Sequence, residues 1–182
     1  MKSVGLDVIK DDAYKLVNGT TDNIIAKLKS DTKEEPMLFS CHMDPVGNGK
    51  NIKPIIKKDV VYSDGTTILG ADDKAGIAAI IEAILHIKEE NLSHPTIKPI
   101  FTICEEIRVY GSKNLNYSLI ESKRGFVLDS GDEVGTIINK GPAQDKRDVV
   151  ITGKAAHASV APENGISSIN VASKAISKMN LF

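Results

Sequence analysis

The amino-acid sequence predicts an α/β fold: a central, mostly parallel sheet flanked by helices, followed by the beginning of a second domain. Three observations lead to this fold class. Short apolar runs alternate with helical segments, which is the order of elements found in parallel sheets. Between residues 74 and 88 the apolar side chains recur at helical spacing and form one stripe. Acidic or imidazole side chains follow several apolar runs, as ligand-binding residues do beyond the carboxyl ends of parallel strands.

Each element is predicted from its local pattern. Short apolar runs indicate strands, Ser-Asp-Gly indicates a tight turn, and helical periodicity indicates a helix. In chain order we expect strands at 6–9, 23–28 and 37–41, a hairpin at 60–69, a helix at 74–88, a strand at 97–104, a helix at 115–123 and a strand at 125–128.

The carboxyl-terminal part predicts a second domain. A strand at 148–152 and an amphipathic helix at 163–179 follow a Gly-Pro pair. One strand and one helix cannot bury both of their faces, so we expect them to belong to a domain that is incomplete. The predicted domains are therefore residues 1–144 and 145–182.

The composition is that of a globular chain and argues against several partners. The 182 residues are 41% hydrophobic and 26% charged, with a net charge of −1. No block of like charge and no aromatic platform favours nucleic acid or an anionic membrane. No apolar run has the length of a membrane span or of a signal core. We therefore expect a cytoplasmic protein with reduced thiols at Cys41 and Cys104.

His42 and Asp44 lie two residues apart at the end of a predicted strand. In extended backbone such residues point to the same side. A metal-binding histidine commonly donates its second ring N–H to a carboxylate, and Asp44 is placed to accept it. The alternative is a surface histidine beside a turn aspartate, which the His-x-Asp pattern alone favours.

Two acidic pairs supply further candidate ligands. Asp72 and Asp73 lie in a glycine-flanked loop that opens the predicted helix, where one carboxylate could bridge two metal ions held ~3.5–4 Å apart. A helix N-cap is the alternative for this pair. The side chains of Glu105 and Glu106 diverge after a strand, so one can bind metal while the other acts as a general base. Two solvated acids are the alternative.

Asp129 and His157 complete the candidates. Asp129 ends a short strand, and its alternative role is that of a turn aspartate. His157 is flanked by small residues that permit close approach of another surface, and its alternative is a loop histidine. Each signal is modest alone, but together the candidates from His42 to Asp129 fall on one edge of one predicted sheet.

Motifs along nearly the whole chain resemble one family. They are His42-Met43-Asp44, Gly70-Ala71-Asp72-Asp73-Lys74-Ala75-Gly76, Glu105-Glu106, Gly153-Lys154-Ala155-Ala156-His157, and the stretches at 62–66 and 161–166. The set resembles the M20 metallopeptidases, in particular the peptidase T-like (tripeptide aminopeptidase) branch. The resemblance implies a partial zinc-peptidase-like catalytic domain at 1–144. It implies the first strand and helix of a ferredoxin-like lid or dimerisation domain at 145–182.

The resemblance implies a centre with two divalent metal ions, zinc first and cobalt or manganese as alternatives. His42 and Asp129 would bind one ion and Glu106 the other, with Asp72 bridging both. The peptide bond between Asp72 and Asp73 is often cis in that family.

The resemblance also implies the catalytic roles. Glu105 would be the general base, and Asp44 would orient the histidine ligand. His157 would help to stabilise the transition state, in dimeric members from the partner subunit. The implied reaction is hydrolysis of an N-terminal peptide bond in short peptides, and a homodimer through the lid domain is an expected assembly.

Departures from the family pattern bear on activity. The family's last ligand, a histidine far toward the carboxyl terminus, and its first helix have no counterpart among these residues. We therefore expect a chain truncated at both ends with impaired turnover. Arg108 stands where the family usually has glycine. One alternative is an inactive fragment that acts only as a binding or assembly module. Another is a carboxypeptidase or N-acyl amino acid amidohydrolase, and Asp129 argues weakly against this second alternative.

Overall fold

The computed structural model describes residues 1–143 and 146–179. The chain divides into two compact units, Met1–Asp132 and Glu133–Phe182, and each is described by itself. The predicted domain boundary at 144–145 lies outside the described residues.

Seven strands and four α-helices make up the regular structure of the described residues. The strands are β1 Asp7–Lys10, β2 Ile24–Lys27, β3 Met37–His42, β4 Pro54–Lys57, β5 Val60–Ser63, β6 Ile97–Thr102 and β7 Arg124–Val127. The helices are α1 Ala13–Val17, α2 Lys74–Glu89, α3 Tyr110–Lys113 and α4 Ser168–Ile176. Short 3₁₀ turns occur at Lys2–Val4, Tyr117–Leu119 and Pro162–Asn164.

The central sheet of the first unit has the strand order β1-β2-β6-β3-β7. β3 lies between β6 and β7 and is parallel to both, whereas β2 pairs antiparallel with β1 and β6. In this register His42 is opposite Thr102, and Ser40 is opposite Val127. The carboxyl ends of β3, β6 and β7 therefore meet at one edge. The predicted α/β class is confirmed, and the parallel part consists of these three strands.

The two faces of the sheet enter two cores, because consecutive residues of a strand point to opposite sides. Ala26 and Phe101 face the core that α2 covers, while their neighbours Ile25 and Ile100 face the other. Ile84 of α2 is 1% exposed, and burying such a side chain contributes roughly 1.5–3 kcal/mol. The core under α2 thus fixes this helix, and with it the loop at its amino end, against β3.

Two predicted elements of the first unit differ from the structure. The hairpin predicted at 60–69 is formed by β4 and β5 instead, and its turn is at Lys58 and Asp59, which have φ of 48° and 65°. The helix predicted at 115–123 is only a 3₁₀ turn. The helix is cut short at Asn116, because its side chain accepts from the Ser118 backbone N–H at 3.2 Å and so competes with helical hydrogen bonding.

The second unit also differs from its predicted elements. No strand forms at 148–152, where side chains are largely exposed and no partner strand is present among the described residues. The helix predicted at 163–179 is shortened to α4, because Ser167 caps it by accepting from the Asn170 N–H at 3.2 Å. Across the described residues, no helix has the length and apolar character needed to cross a bilayer.

Gly76 lies where α2 touches the ends of β3 and β7. A Cβ at this position would meet the Asp73 carboxylate and would lie 2.7 Å from both Cys41 Sγ and the Leu128 carbonyl oxygen. Gly→Ala inside a helix usually stabilises by roughly 0.5–1 kcal/mol. Here we expect Gly76→Ala to destabilise by about 1–3 kcal/mol through overpacking, measured by thermal or urea unfolding.

Gly131→Ala is the matched control for this glycine, since a Cβ there would meet nothing within 4 Å. We expect this variant to unfold within about 1 kcal/mol of the parent. A Gly76→Ala protein as stable as the parent would show that α2 is not held tightly against the sheet edge.

Lys98 is a buried cation of β6, 3% exposed, and it is paired with Glu121. Its Nζ lies 2.9 Å from Glu121 Oε2 and donates to the Leu119 carbonyl at 3.1 Å. The hydrogen bond and the charge of Lys98 lower the pKa of Glu121 below its ordinary value. A depressed carboxyl pKa stabilises the folded state above the unfolded pKa of about 4.3, and that stability is lost as the pH falls through the folded pKa.

Glu121→Gln is therefore expected to lower the melting temperature at pH 7, with the difference from the parent shrinking at pH 3. Glu35→Gln is the control, because Glu35 is similarly exposed but pairs at 3.5 Å with Lys123, whose side chain is 80% exposed. Such surface pairs contribute little, so we expect no change there. Equal melting shifts in the two variants would contradict a special role for the buried lysine.

Candidate metal centre

The carboxyl edge of the sheet gathers the candidate ligands of the first unit. His42 is the last residue of β3, and Glu105 and Glu106 follow β6. Asp129 comes shortly after β7, and Asp72 precedes α2. The parallel order of β6, β3 and β7 brings these loops side by side, as it does in open α/β sheets generally.

The imidazole of His42 lies at the centre of the cluster and is 3% exposed as a residue. Its Nε2 is 3.1 Å from Asp72 Oδ1 and 4.0 Å from Asp129 Oδ1. Two donor groups share this histidine: one with Glu105 and Asp129, the other with Asp72 and Glu106. Within each group the ligand atoms all lie within 4.8 Å of one another.

The electrostatics of the cluster suit a cation. Burial raises the pKa of Glu105, and the neighbouring charges of Asp129 and Glu106 raise it further. Burial alone would lower the pKa of His42, but the hydrogen bond to Asp72 and the nearby acids outweigh it and raise the pKa. Carboxylates that converge on one imidazole repel each other until a positive charge joins them. Oxygen and imidazole donors at this spacing fit a divalent metal ion such as zinc.

Asp44 makes contacts that sequence reasoning missed. Its Oδ1 accepts from the Glu105 backbone N–H at 3.0 Å and its Oδ2 from the Glu106 N–H at 3.2 Å. Its Oδ1 lies 3.7 Å from the buried His42 Nδ1, which is beyond hydrogen-bond range. Asp44 therefore holds the backbone of the glutamate pair, while its predicted orientation of His42 stays a prediction.

Asp73 joins the start of α2 to the end of β3. The peptide bond between Asp72 and Asp73 is cis, as the resemblance implies. Asp73 occupies the N-cap position of α2, yet its side chain makes no capping hydrogen bond. Instead its Oδ2 accepts from the His42 backbone N–H at 3.3 Å. Burial, the largest influence, raises the pKa of this carboxyl.

Lys74 supports the same junction from the first turn of α2. Its Nζ donates to the Met43 carbonyl at 2.7 Å. Only the fold reveals this contact, which joins the start of α2 to the end of β3.

Two further predicted features are placed by the structure. His157 belongs to the second unit, where its Nδ1 accepts from the Ser159 backbone N–H at 3.3 Å. Its predicted catalytic role stays a prediction. Arg108 has φ of 64°, the left-handed conformation that favours the glycine expected from the resemblance.

Comparison with protein families shows which family has this cluster of candidate ligands in its sequence. A sequence model of peptidase family M28 matches residues 23–171, which includes every candidate of the sheet edge and His157. The chain belongs to peptidase family M28. The motif likeness to M20 enzymes stays a prediction beside this match.

Individual relatives of this M28-family chain include named peptidases. Uncharacterized protein YqjE of Bacillus subtilis is 48% identical over 98% of the chain and 48% of its own length. A tripeptidase from Staphylococcus aureus superposes with a TM-score of 0.85 at 40% identity, over 99% of this chain and 48% of that one. Aminopeptidase PepT from Bacillus cereus gives 0.81 at 42% identity, with the same coverage. The chain thus spans about half the length of these relatives.

Proposed function

We propose that this M28-family chain carries the metal centre of a peptidase T-like aminopeptidase, which hydrolyses the N-terminal peptide bond of short peptides. The observation that carries the proposal is the convergence of His42 with four carboxylates at one sheet edge. The tripeptidase and the PepT aminopeptidase, similar in fold over nearly the whole chain, support the substrate class. Two zinc ions are the proposed metals, with His42 and Asp129 on one, Glu106 on the other and Asp72 between them.

Divalent metal ions, when bound, lower the pKa of water and polarise the substrate carbonyl. The chain's own contribution begins with Glu105, whose carboxylate lies within 4.8 Å of the ligand atoms of His42 and Asp129. Glu105 removes a proton from the attacking water and returns it to the leaving amino group as the C–N bond breaks. Asp44 keeps Glu105 in place through its backbone N–H.

The proposed assembly and the proposed rate rest on other residues. His157 would help to stabilise the transition state, in a dimer from the partner subunit, and the second unit would form the dimer contact. We also propose that these residues by themselves turn substrate over slowly. Among the residues that the structure describes, His42 is the one histidine in either donor group, so the second group has no imidazole ligand of its own.

The test is a tripeptide assay of the chain with added Zn²⁺ or Co²⁺, in which release of the N-terminal residue is followed by mass spectrometry. We expect metal-dependent release that stops on adding EDTA. An N-acetylated tripeptide is the control, since an aminopeptidase requires the free amino group. Cleavage of both peptides, or equal cleavage with EDTA, would contradict the proposal. Calorimetric titration with Zn²⁺ separately tests the metal centre.

A further inference from the structure

The segment at 103–111, which carries Glu105 and Glu106, has an unusual backbone. Cys104, Arg108 and Val109 have φ of 53°, 64° and 51°, in the left-handed region that residues with side chains rarely adopt. Such conformations persist only where surrounding contacts determine them. Contacts within and around the segment must therefore determine its shape.

The two ends of the segment lie against each other. A Cβ on Gly111 would lie 2.7 Å from the Ile103 nitrogen and would also meet the Ile103 carbonyl oxygen. Between the ends, the Val109 N–H donates to the Glu105 carbonyl at 2.8 Å and the Tyr110 N–H to the Cys104 carbonyl at 3.0 Å. The segment is a closed loop, and its closure sets the position of both glutamates.

Asn23, which is 0% exposed, joins the two ends. The Ile103 backbone N–H donates to Asn23 Oδ1 at 3.0 Å, and Asn23 Nδ2 donates to the Gly111 carbonyl at 2.9 Å. Only one orientation of the amide satisfies these partners, because one end offers a donor and the other an acceptor. One buried side chain thus spans the base of the loop.

Asp11 orients that amide. Its Oδ2 accepts from Asn23 Nδ2 at 2.8 Å, and its Oδ1 accepts from the backbone N–H groups of Asn23 and Ala13 at 3.2 and 3.0 Å. Asp11 is itself 8% exposed. Both amide hydrogens of Asn23 are therefore used, and a rotated amide would place its oxygen against the carboxylate.

We propose that Asn23, oriented by Asp11, is a positioning residue of the metal centre: it closes the 103–111 loop and so fixes the glutamate pair against the His42 cluster. The proposal rests on the proposed function for its metal readout. It assigns a role at the centre to a residue whose side-chain hydrogen bonds go to Asp11, Ile103 and Gly111. Asp44 secures the middle of the loop, and Asn23 secures its base.

The test compares Asn23→Ala with Leu28→Ala. Leu28 directly follows β2 and packs in the core, so its truncation leaves the hydrogen bonds of Asn23 to Ile103 and Gly111 in place. Both chains are titrated with Co²⁺ well below their melting temperatures, and hydrogen exchange of peptides covering 104–110 is followed by mass spectrometry. We expect at least a tenfold loss of Co²⁺ affinity and at least tenfold faster exchange at 104–110 for Asn23→Ala. Leu28→Ala should remain within about twofold of the parent in both.

Parent-like Co²⁺ binding by folded Asn23→Ala, or equal losses in both variants, would overturn the proposal. If Asn23→Ala does not fold, Asp11→Asn decides by the same two readouts, since it keeps the Asn23 side chain and disturbs only its orientation. If the parent binds no Co²⁺, the proposed function fails. Faster exchange at 104–110 would still support the closure of the loop by Asn23, and unchanged exchange would overturn it.

Discussion

Replacing Glu105 by Gln is expected to lower tripeptide turnover by about 10²–10⁴-fold, the usual effect of losing a general base. Gln keeps the size of the side chain, and the hydrogen bond from the backbone N–H of residue 105 to the Asp44 carboxylate is unaffected. The metal content should therefore change little. Turnover and bound zinc per chain are measured on the same preparation.

The neighbouring Glu106→Gln variant is the matched control. Glu106 shares a donor group with His42 and Asp72, so its loss should lower metal affinity as well as turnover. Glu105 also lies in a donor group with His42 and Asp129, so it could itself bind a metal ion. Loss of a metal equivalent in Glu105→Gln would identify it as a ligand rather than as the base.

The His42→Ala variant is expected to lose metal binding, because His42 would hold one ion and the other would have only the carboxylates of Asp72 and Glu106 among the described residues. The loss should be visible in stability. A ligand at 100 times its dissociation constant stabilises a folded protein by about 2.7 kcal/mol. Added Zn²⁺ should raise the melting temperature of the parent and leave that of His42→Ala unchanged.

His86→Ala serves as the control for this variant, since His86 lies exposed on α2, away from the sheet edge. It should respond to Zn²⁺ as the parent does. A Zn²⁺-dependent rise in melting temperature that survives in His42→Ala would place metal binding elsewhere on the chain.

Much of the site can be predicted from the sequence because its signals are local. Strand ends follow from apolar runs, and parallel strands place their carboxyl ends at one edge, so His42, Glu105 and Asp129 are expected to meet. The register of β3 against β6 and β7 confirms that shared edge. The long helix α2 was also predictable, since its apolar stripe extends over several turns.

The contacts that hold the site could not be predicted, because they join residues far apart in the chain. Asn23 reaches Ile103 and Gly111, and Asp44 reaches Glu105, with nothing in the local pattern to mark either. The predicted helix at 115–123 is wrong for a different, local reason. A local hydrogen bond from Ser118 to Asn116 competes with the helical pattern that the apolar spacing suggests.

The sequence by itself determined the fold class, the order of the candidate ligands and the edge on which they lie, since these depend on periodicity and on the direction of strands. Tertiary structure alone decided which atoms face one another: Nε2 of His42 toward Asp72, and Asp44 toward the backbone of the glutamate pair rather than within hydrogen-bond range of the imidazole. The reason is physical. Hydrogen bonds require partners within about 3 Å, and only the packed chain sets distances on that scale between residues dozens of positions apart.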